Sequence, residues 1–328
     1  MGLFFLGIAA QDVALQFSQS DMENIERAKL MKATHRIINF SFIVLAVISI
    51  AGCANPSYKK HYADAVAYAS QGNLEIANKE FKRSLEIYRF FRPSIRSSEI
   101  IDDMNQGKIE QETVALFIKG ISYANQRLFK QAINEYSLVI ENSPEYALAY
   151  ESRGSAYIET GEYDLAINDF NTAITLEPQF SEAYVNRGVA YVGKSQYELA
   201  MQDYQKAIEL DPNLDFSYVN FGLLYQKQNQ LEKAIHNYTL ALNINGRNAD
   251  TYYNRANALR DLGKYDLAIR DYNEAIKINR DVAAYYSNRG NVHLVKLGHP
   301  IMGCLDLQNA CKLGECKYYN AAVRKNDC

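Results

Sequence analysis

A 34-residue period runs through most of this 328-residue chain and constrains its fold more than any other feature. The stretches "AYESRGSAYIETGEYDLAINDFNTAITLEP", "AYVNRGVAYVGKSQYELAMQDYQKAIELDP" and "YYNRANALRDLGKYDLAIRDYNEAIKIN" align landmark by landmark. A small residue recurs at Gly120, Gly154, Gly188, Gly222, Ala256 and Gly290. Alanine recurs at Ala132, Ala166, Ala200, Ala234 and Ala268, and four residues later comes an aromatic: Tyr136, Phe170, Tyr204, Tyr238 and Tyr272. Pro144, Pro178 and Pro212 close the first three of these units. Each unit reads as two amphipathic helices joined by a tight turn such as "TGEY" or "LGKY". One such pair cannot bury its own apolar face, so successive pairs must stack. The repeated slot also accounts for a chain with 25 tyrosines and no tryptophan.

These landmarks resemble the tetratricopeptide repeat family over about 113–313. The resemblance implies an all-α fold, a right-handed superhelical solenoid. Six repeats start near Thr113, Ala147, Ser181, Asp215, Ala249 and Ala283, and together span 113–314. A weaker seventh repeat starts near Tyr58, with Ala65, Tyr68, Gly72, Ala77 and Phe81 at the right spacings. It falls in 53–91, and the segment 92–112 then breaks the phase, so that segment is expected to be an inserted linker or a partly helical loop. The last repeat carries one extra residue between Arg289 and Gly298, and Gly303 stands where alanine is expected. A capping helix should follow within 315–328.

Ahead of the repeats, "MKATHR" at 31–36 offers a positive n-region, and Ile37–Gly52 is apolar but short for a spanning helix. The ending Ile50-Ala51-Gly52-Cys53 is similar to a bacterial lipobox. That resemblance implies cleavage before Cys53, acylation of its sulfur, and attachment to a membrane through the lipid. The alternative is an uncleaved anchor helix with an incidental cysteine. Residues 1–30, with Asp21, Glu23 and Glu26, fit a signal poorly, and Met31 is expected to be the start. Residues 31–52 are then the signal peptide. Ala54 follows the cysteine where the sorting rule for inner-membrane retention wants Asp, which implies the periplasmic face of the outer membrane.

Four more cysteines remain: Cys304, Cys311, Cys316 and Cys328. An even number in an exported chain favours disulfides. A metal site competes, but no C-x-x-C pair or nearby histidine completes a zinc set. Cys304 and Cys311 are too far apart along one helix to bond. The favoured pairing is therefore Cys311 with Cys316 and Cys304 with Cys328.

Sites for chemistry are few. "GVAYVGKS", Gly188 to Ser195, satisfies the phosphate-loop pattern, but here it spans a repeat's first helix and turn rather than a strand-to-helix junction. Neither a nucleotide nor any other cofactor is expected, and a net charge of -3 gives no field for nucleic acid. The expectation is a non-catalytic protein with a binding surface. In the family, the first helix of each repeat lines a concave groove. The sixth positions are Ile118, Ser152, Asn186, Asn220, Asn254 and Asn288, and the ninth add Asn257 and Asn291. An amide offers both a donor and an acceptor, so these asparagines are the candidate contacts to a protein or peptide partner, and the four at the sixth position are expected to face solvent. The following arginines, Arg153, Arg187, Arg255 and Arg289, are expected to ion-pair with acids such as Asp169, Asp203 and Asp271. No fifth position is lysine, which departs from the carboxylate-clamp pattern of co-chaperones. The function expected is an envelope adaptor or scaffold. Alternatives are a self-assembling solenoid, or a pilotin-like assembly factor for a pilus or secretion complex.

Overall fold

The computed structural model describes residues 57–87, 92–107 and 109–328; Cys53 and the segment before it lie outside the described residues. Contacts divide the chain into Met1–Ser49 and Ile50–Cys328, and all described residues belong to the second unit. They form α-helices and no strand. The first pair is α1 (Ser57–Ser70) and α2 (Leu74–Ile87), followed by an unpaired α3 (Arg92–Asn105). Next come α4 (Gln111–Asn125) with α5 (Phe129–Asn142), and α6 (Ala147–Thr160) with α7 (Tyr163–Leu176). The array continues with α8 (Ser181–Gly193) and α9 (Tyr197–Leu210), then α10 (Asp215–Lys227) and α11 (Leu231–Ile244). It ends with α12 (Ala249–Asp261) and α13 (Tyr265–Ile278), α14 (Ala283–Asn291) and α15 (Pro300–Lys312), and the cap α16 (Lys317–Arg324). None of these helices is long and apolar enough to cross a membrane.

Consecutive pairs stack, giving the all-α solenoid of helix-turn-helix units. The segment read as a linker or partly helical loop holds a full helix, α3, which packs on α2 and α4. It escapes the period because it adds one helix rather than a pair. The stack is not interrupted, because α1 still touches α4 as one first helix touches the next.

Turn geometry explains why the two helices of a pair reverse sharply. Gly72, Gly161 and Gly263 occupy the left-handed region at one turn position, with φ of 76°, 81° and 78°. Arg127, Ser195 and Asn229 adopt the same conformation at the equivalent place, with φ near 60°. A side chain there is strained, so the stack must hold it in place.

Ring clearance sets the distance between helices. A Cβ added at Gly188 lies 2.5 Å from the Tyr204 ring, and one at Gly222 lies 2.6 Å from Tyr238. Tyr204, Tyr238 and Tyr272 are almost wholly buried, and that burial pushes their phenols above the ordinary value. The last repeat solves the same problem differently. Leu307 replaces the aromatic, and the helices close until Gly303 and Gly290 meet backbone to backbone: a Cβ at Gly303 lies 2.9 Å from the Gly290 carbonyl oxygen. This is why glycine stands where alanine is expected. The extra residue is taken up by a π turn at Val292–Lys296, a usual way of absorbing an insertion in a helix.

At the end of the array α15 stops at Lys312, Gly314 turns with φ 101°, and α16 folds back. Cys304 and Cys328 are disulfide-bonded in the structure with Cα atoms 5.6 Å apart, and Cys311 and Cys316 with Cα atoms 3.9 Å apart.

The Gly188 contact makes a direct prediction. Gly188→Ala should lower stability by about 1–3 kcal/mol, the usual cost of overpacking a filled core. Gly246→Ala, where the nearest atom to the new Cβ is 3.4 Å away, should cost less. Chemical denaturation of both variants measures the difference, and equal losses would count against ring clearance as the cause.

Candidate partner-binding groove

The first helices of neighbouring repeats touch one another: α1 with α4, α6 with α8, α8 with α10 and α10 with α12. The second helices make no comparable contact with each other. The first helices therefore line the inner, concave side of the stack, and the second helices fan outward.

Four first helices, α6, α8, α12 and α14, are fixed by an arginine directly after the sixth position. Arg153 grips Asp169 through Nε and Nη2, both at 2.8 Å. Arg187 holds Asp203 at 2.9 and 2.7 Å, Arg255 holds Asp271 at 2.7 and 2.9 Å, and Arg289 holds Asp306 at 2.8 and 2.6 Å. The expected ion pairs are thus present, in bidentate form. The spacing did not reveal the third contact. Nη1 of each arginine reaches back to the second helix of the preceding repeat: Ser137 at 3.1 Å, Asn171 at 2.7 Å, Thr239 at 3.0 Å and Asn273. A tyrosine three residues earlier, such as Tyr184 at 5.4 Å from the Arg187 guanidinium, covers the cation. Burial pushes the Asp203 carboxyl up, against the pull of Arg187, while the hydrogen bond to Asp169 holds Arg153 above its ordinary value.

The asparagines divide into two groups. Asn186 donates to Glu151 at 2.6 Å and to Ser155 at 3.2 Å, both on the preceding first helix. Asn288 donates to Tyr253 at 2.8 Å and accepts from Arg260 at 2.7 Å. Asn220 donates to its own helix at the Phe216 carbonyl, and Asn257 accepts from Tyr272 at 2.7 Å. The expectation that Asn186, Asn220, Asn254 and Asn288 all face solvent is corrected here: Asn186 and Asn288 bridge neighbouring repeats, because stacking brings each within reach of the first helix before it. Among the described residues, Asn254 and Asn291 have no hydrogen-bond partner; Asn254 is half-buried and Asn291 exposed. Between Asn186 on α8 and the free amides of α12 and α14, apolar side chains flank Asn220 on the inner face. Val189 and Phe216 are half-buried there, and Leu223 is 42% exposed.

The phosphate-loop-like string is accounted for residue by residue. Gly188 clears Tyr204, and a Cβ on Gly193 lies 2.5 Å from the Tyr163 ring of the preceding repeat. Lys194 is paired with Asp164, and Ser195 makes the left-handed turn. Among the described residues no group of histidine, cysteine, aspartate or glutamate is arranged to hold a metal ion.

Family models described as tetratricopeptide repeat match residues 181–214 and 249–282, and 203–236; one described as TPR repeat matches 154–195. No curated protein sequence matches the chain. Among solved structures, the APC/C hetero-tetramer Cut9-Hcn1 is similar, with a TM-score of 0.58 at 18% identity over 82% of this chain. This chain spans 55% of the length of that one. A tetratricopeptide repeat protein from Parabacteroides merdae is similar with a TM-score of 0.52 at 20% identity, covering 83% of this chain and 98% of that one. At such identities the likeness is one of fold. With its 34-residue period, paired helices and matching repeat models, the chain belongs to the tetratricopeptide repeat family.

Proposed function

We propose that this protein is a non-catalytic adaptor of a bacterial cell envelope, anchored by acylation of Cys53 and binding a partner protein's segment along its inner face. The observation that carries the binding role is the inner face itself. Two asparagine amides without internal partners, Asn254 and Asn291, stand along it with the exposed side chain of Leu223. A free amide pairs with a peptide backbone of any sequence, and an exposed leucine rewards an apolar side chain of the ligand. The arginine forks and ring contacts hold the helices rigid, so little ordering cost falls on binding.

Anchoring is supported by the Ile-Ala-Gly-Cys ending, and export by the bonded cysteines at the other end of the chain. The expected location is the periplasmic face of the outer membrane. A pilotin-like role in assembling a pilus or secretion complex is a special case of the same adaptor chemistry.

Asn254→Ala combined with Asn291→Ala should weaken capture of an envelope partner, identified by crosslinking, by roughly tenfold or more at about 1 kcal/mol per lost hydrogen bond. The melting temperature should stay near that of the parent protein. Asn186→Ala should behave in the opposite way, lowering the melting temperature because it breaks a link between repeats. Undiminished capture by the double variant would place recognition elsewhere.

For the anchor, Cys53→Ser in a bacterial host should abolish incorporation of a fatty-acid probe and release the protein from membranes. A parent protein that takes up no probe yet stays membrane-bound would rule out acylation.

A further inference from the structure

The last repeat breaks a rule that the earlier ones keep. On the outward face of the second helix, one exposed position is Asp164, Glu198 and Asp266 in earlier repeats, and a second is Asn168, Gln202 and Arg270. In α15 these positions are Ile301, 77% exposed, and Leu305, 55% exposed. Met302 beside them is 54% exposed, and Val295 in the preceding π turn 63% exposed. Isolated exposed aliphatics are ordinary, and exposed Leu165, Leu199 and Leu267 stand at the Met302 position in earlier repeats, but Ile301 and Leu305 lie one turn apart on α15 with Met302 between them and form a patch.

Charge around the patch departs from the rest of the chain as well. Lys296, Lys312, Lys317, Arg324 and Lys325 are all exposed, and among the described residues none forms an ion pair. Residues 292–328 thus carry five Lys and Arg against three Asp and Glu, in a chain of net charge -3. One of the three, Asp306, is already committed to Arg289. The bond from Cys304 to Cys328 ties the segment after α16 to the same turn of α15 that bears Ile301 and Leu305, and the Cys304 Sγ lies 3.2 Å from the Asp327 carbonyl oxygen. Aliphatic side chains set among unpaired cations match the chemistry of an anionic lipid surface, where the aliphatics enter the headgroup boundary and the cations meet phosphates.

We propose that the outward face of α15, with the exposed cations of α15 and α16, docks on anionic phospholipid membrane. The contact is independent of acylation at Cys53. A lipid chain and a basic-apolar patch together would give two membrane signals, and two are what stable anchoring requires.

The test uses residues 53–328, which lie within the contact unit Ile50–Cys328, carrying Cys53→Ser so that no acyl chain contributes. Sedimentation with vesicles of phosphatidylcholine alone is compared with vesicles that also contain phosphatidylglycerol. Partition should be about tenfold or more tighter on the anionic vesicles and should fall as salt is raised. Ile301→Glu with Leu305→Glu should abolish it while the circular dichroism melt is kept. Lys312→Glu with Lys317→Glu, which leaves the aliphatics in place, should reduce it on anionic vesicles only. Equal partition on both vesicles, or undiminished binding by both variants, overturns the proposal. So does a parent that binds neither vesicle and forms a dimer that Ile301→Glu with Leu305→Glu dissolves; the patch then joins two copies of this chain. Because Cys53 is absent from every arm, failure here leaves the acylation reading untouched.

Discussion

The arginine that follows the sixth position of the first helix is the interaction on which the stack depends most. It joins three helices at once: its own, its partner within the repeat, and the second helix of the repeat before. Its aspartate is more than nine-tenths buried in Asp169, Asp203, Asp271 and Asp306. A carboxylate in that setting is tolerable only with a cation present, so a repeat that loses the arginine must change the acid or supply another cation. The irregular repeats obey this. In the first repeat, Asp64 stands at the arginine position, and the buried Glu80 pairs instead with Arg83 on its own helix and with His61. Where the arginine is Lys119, its partner is Glu135, and the two form an ion pair. Where it is Phe221, the partner is uncharged Asn237, which donates to the Lys233 carbonyl, and Phe221 stacks on Tyr225 at 4.6 Å between ring centroids. Both ends changed, and no buried charge is left alone.

This division of labour frees the inner face. The forks and rings hold the repeats together from the sides of the first helices, so the residues that point inward are not all needed for folding. Some are used anyway. Asn186 and Asn288 act as secondary links between first helices, whereas Asn254 and Asn291 keep their hydrogen-bonding capacity. At the sixth position, Asn186 and Asn288 on the one hand and Asn254 on the other thus serve two purposes, depending on whether the preceding helix presents a polar partner such as Glu151 or Tyr253. The same partition of faces makes α15 conspicuous, since its outward aliphatics serve no contact within the stack.

Much of the fold was legible in the sequence because its determinants recur. Gly188 with Tyr204, and Arg187 with Asp203, each keep a 16-residue offset that repeats down the chain. What recurs only once was hidden. The helix α3 lacks the small-residue and aromatic landmarks, so its sequence resembles a linker. The reach of Arg187 Nη1 to Asn171 also spans 16 residues, but backwards, and nothing within one unit signals it. The left-handed turns at Arg127, Ser195 and Asn229 carry no glycine to mark them. The exposed face of α15 comes into register with the earlier repeats only once the π turn has absorbed the extra residue. The asparagines show a further limit, because their orientation depends on side chains 31–35 residues away.

The account stands on the claim that Arg187 and Asp203 work as an inseparable buried pair, and a double-mutant cycle at that repeat tests it most directly. Arg187→Phe alone should lower stability by about 3–5 kcal/mol, the cost of stranding a buried charge. Adding Asp203→Asn recreates the pair found at Phe221 and Asn237, with Tyr191 placed to stack as Tyr225 does, and should restore most of the loss. A double variant no more stable than the Arg187→Phe single variant would contradict the account.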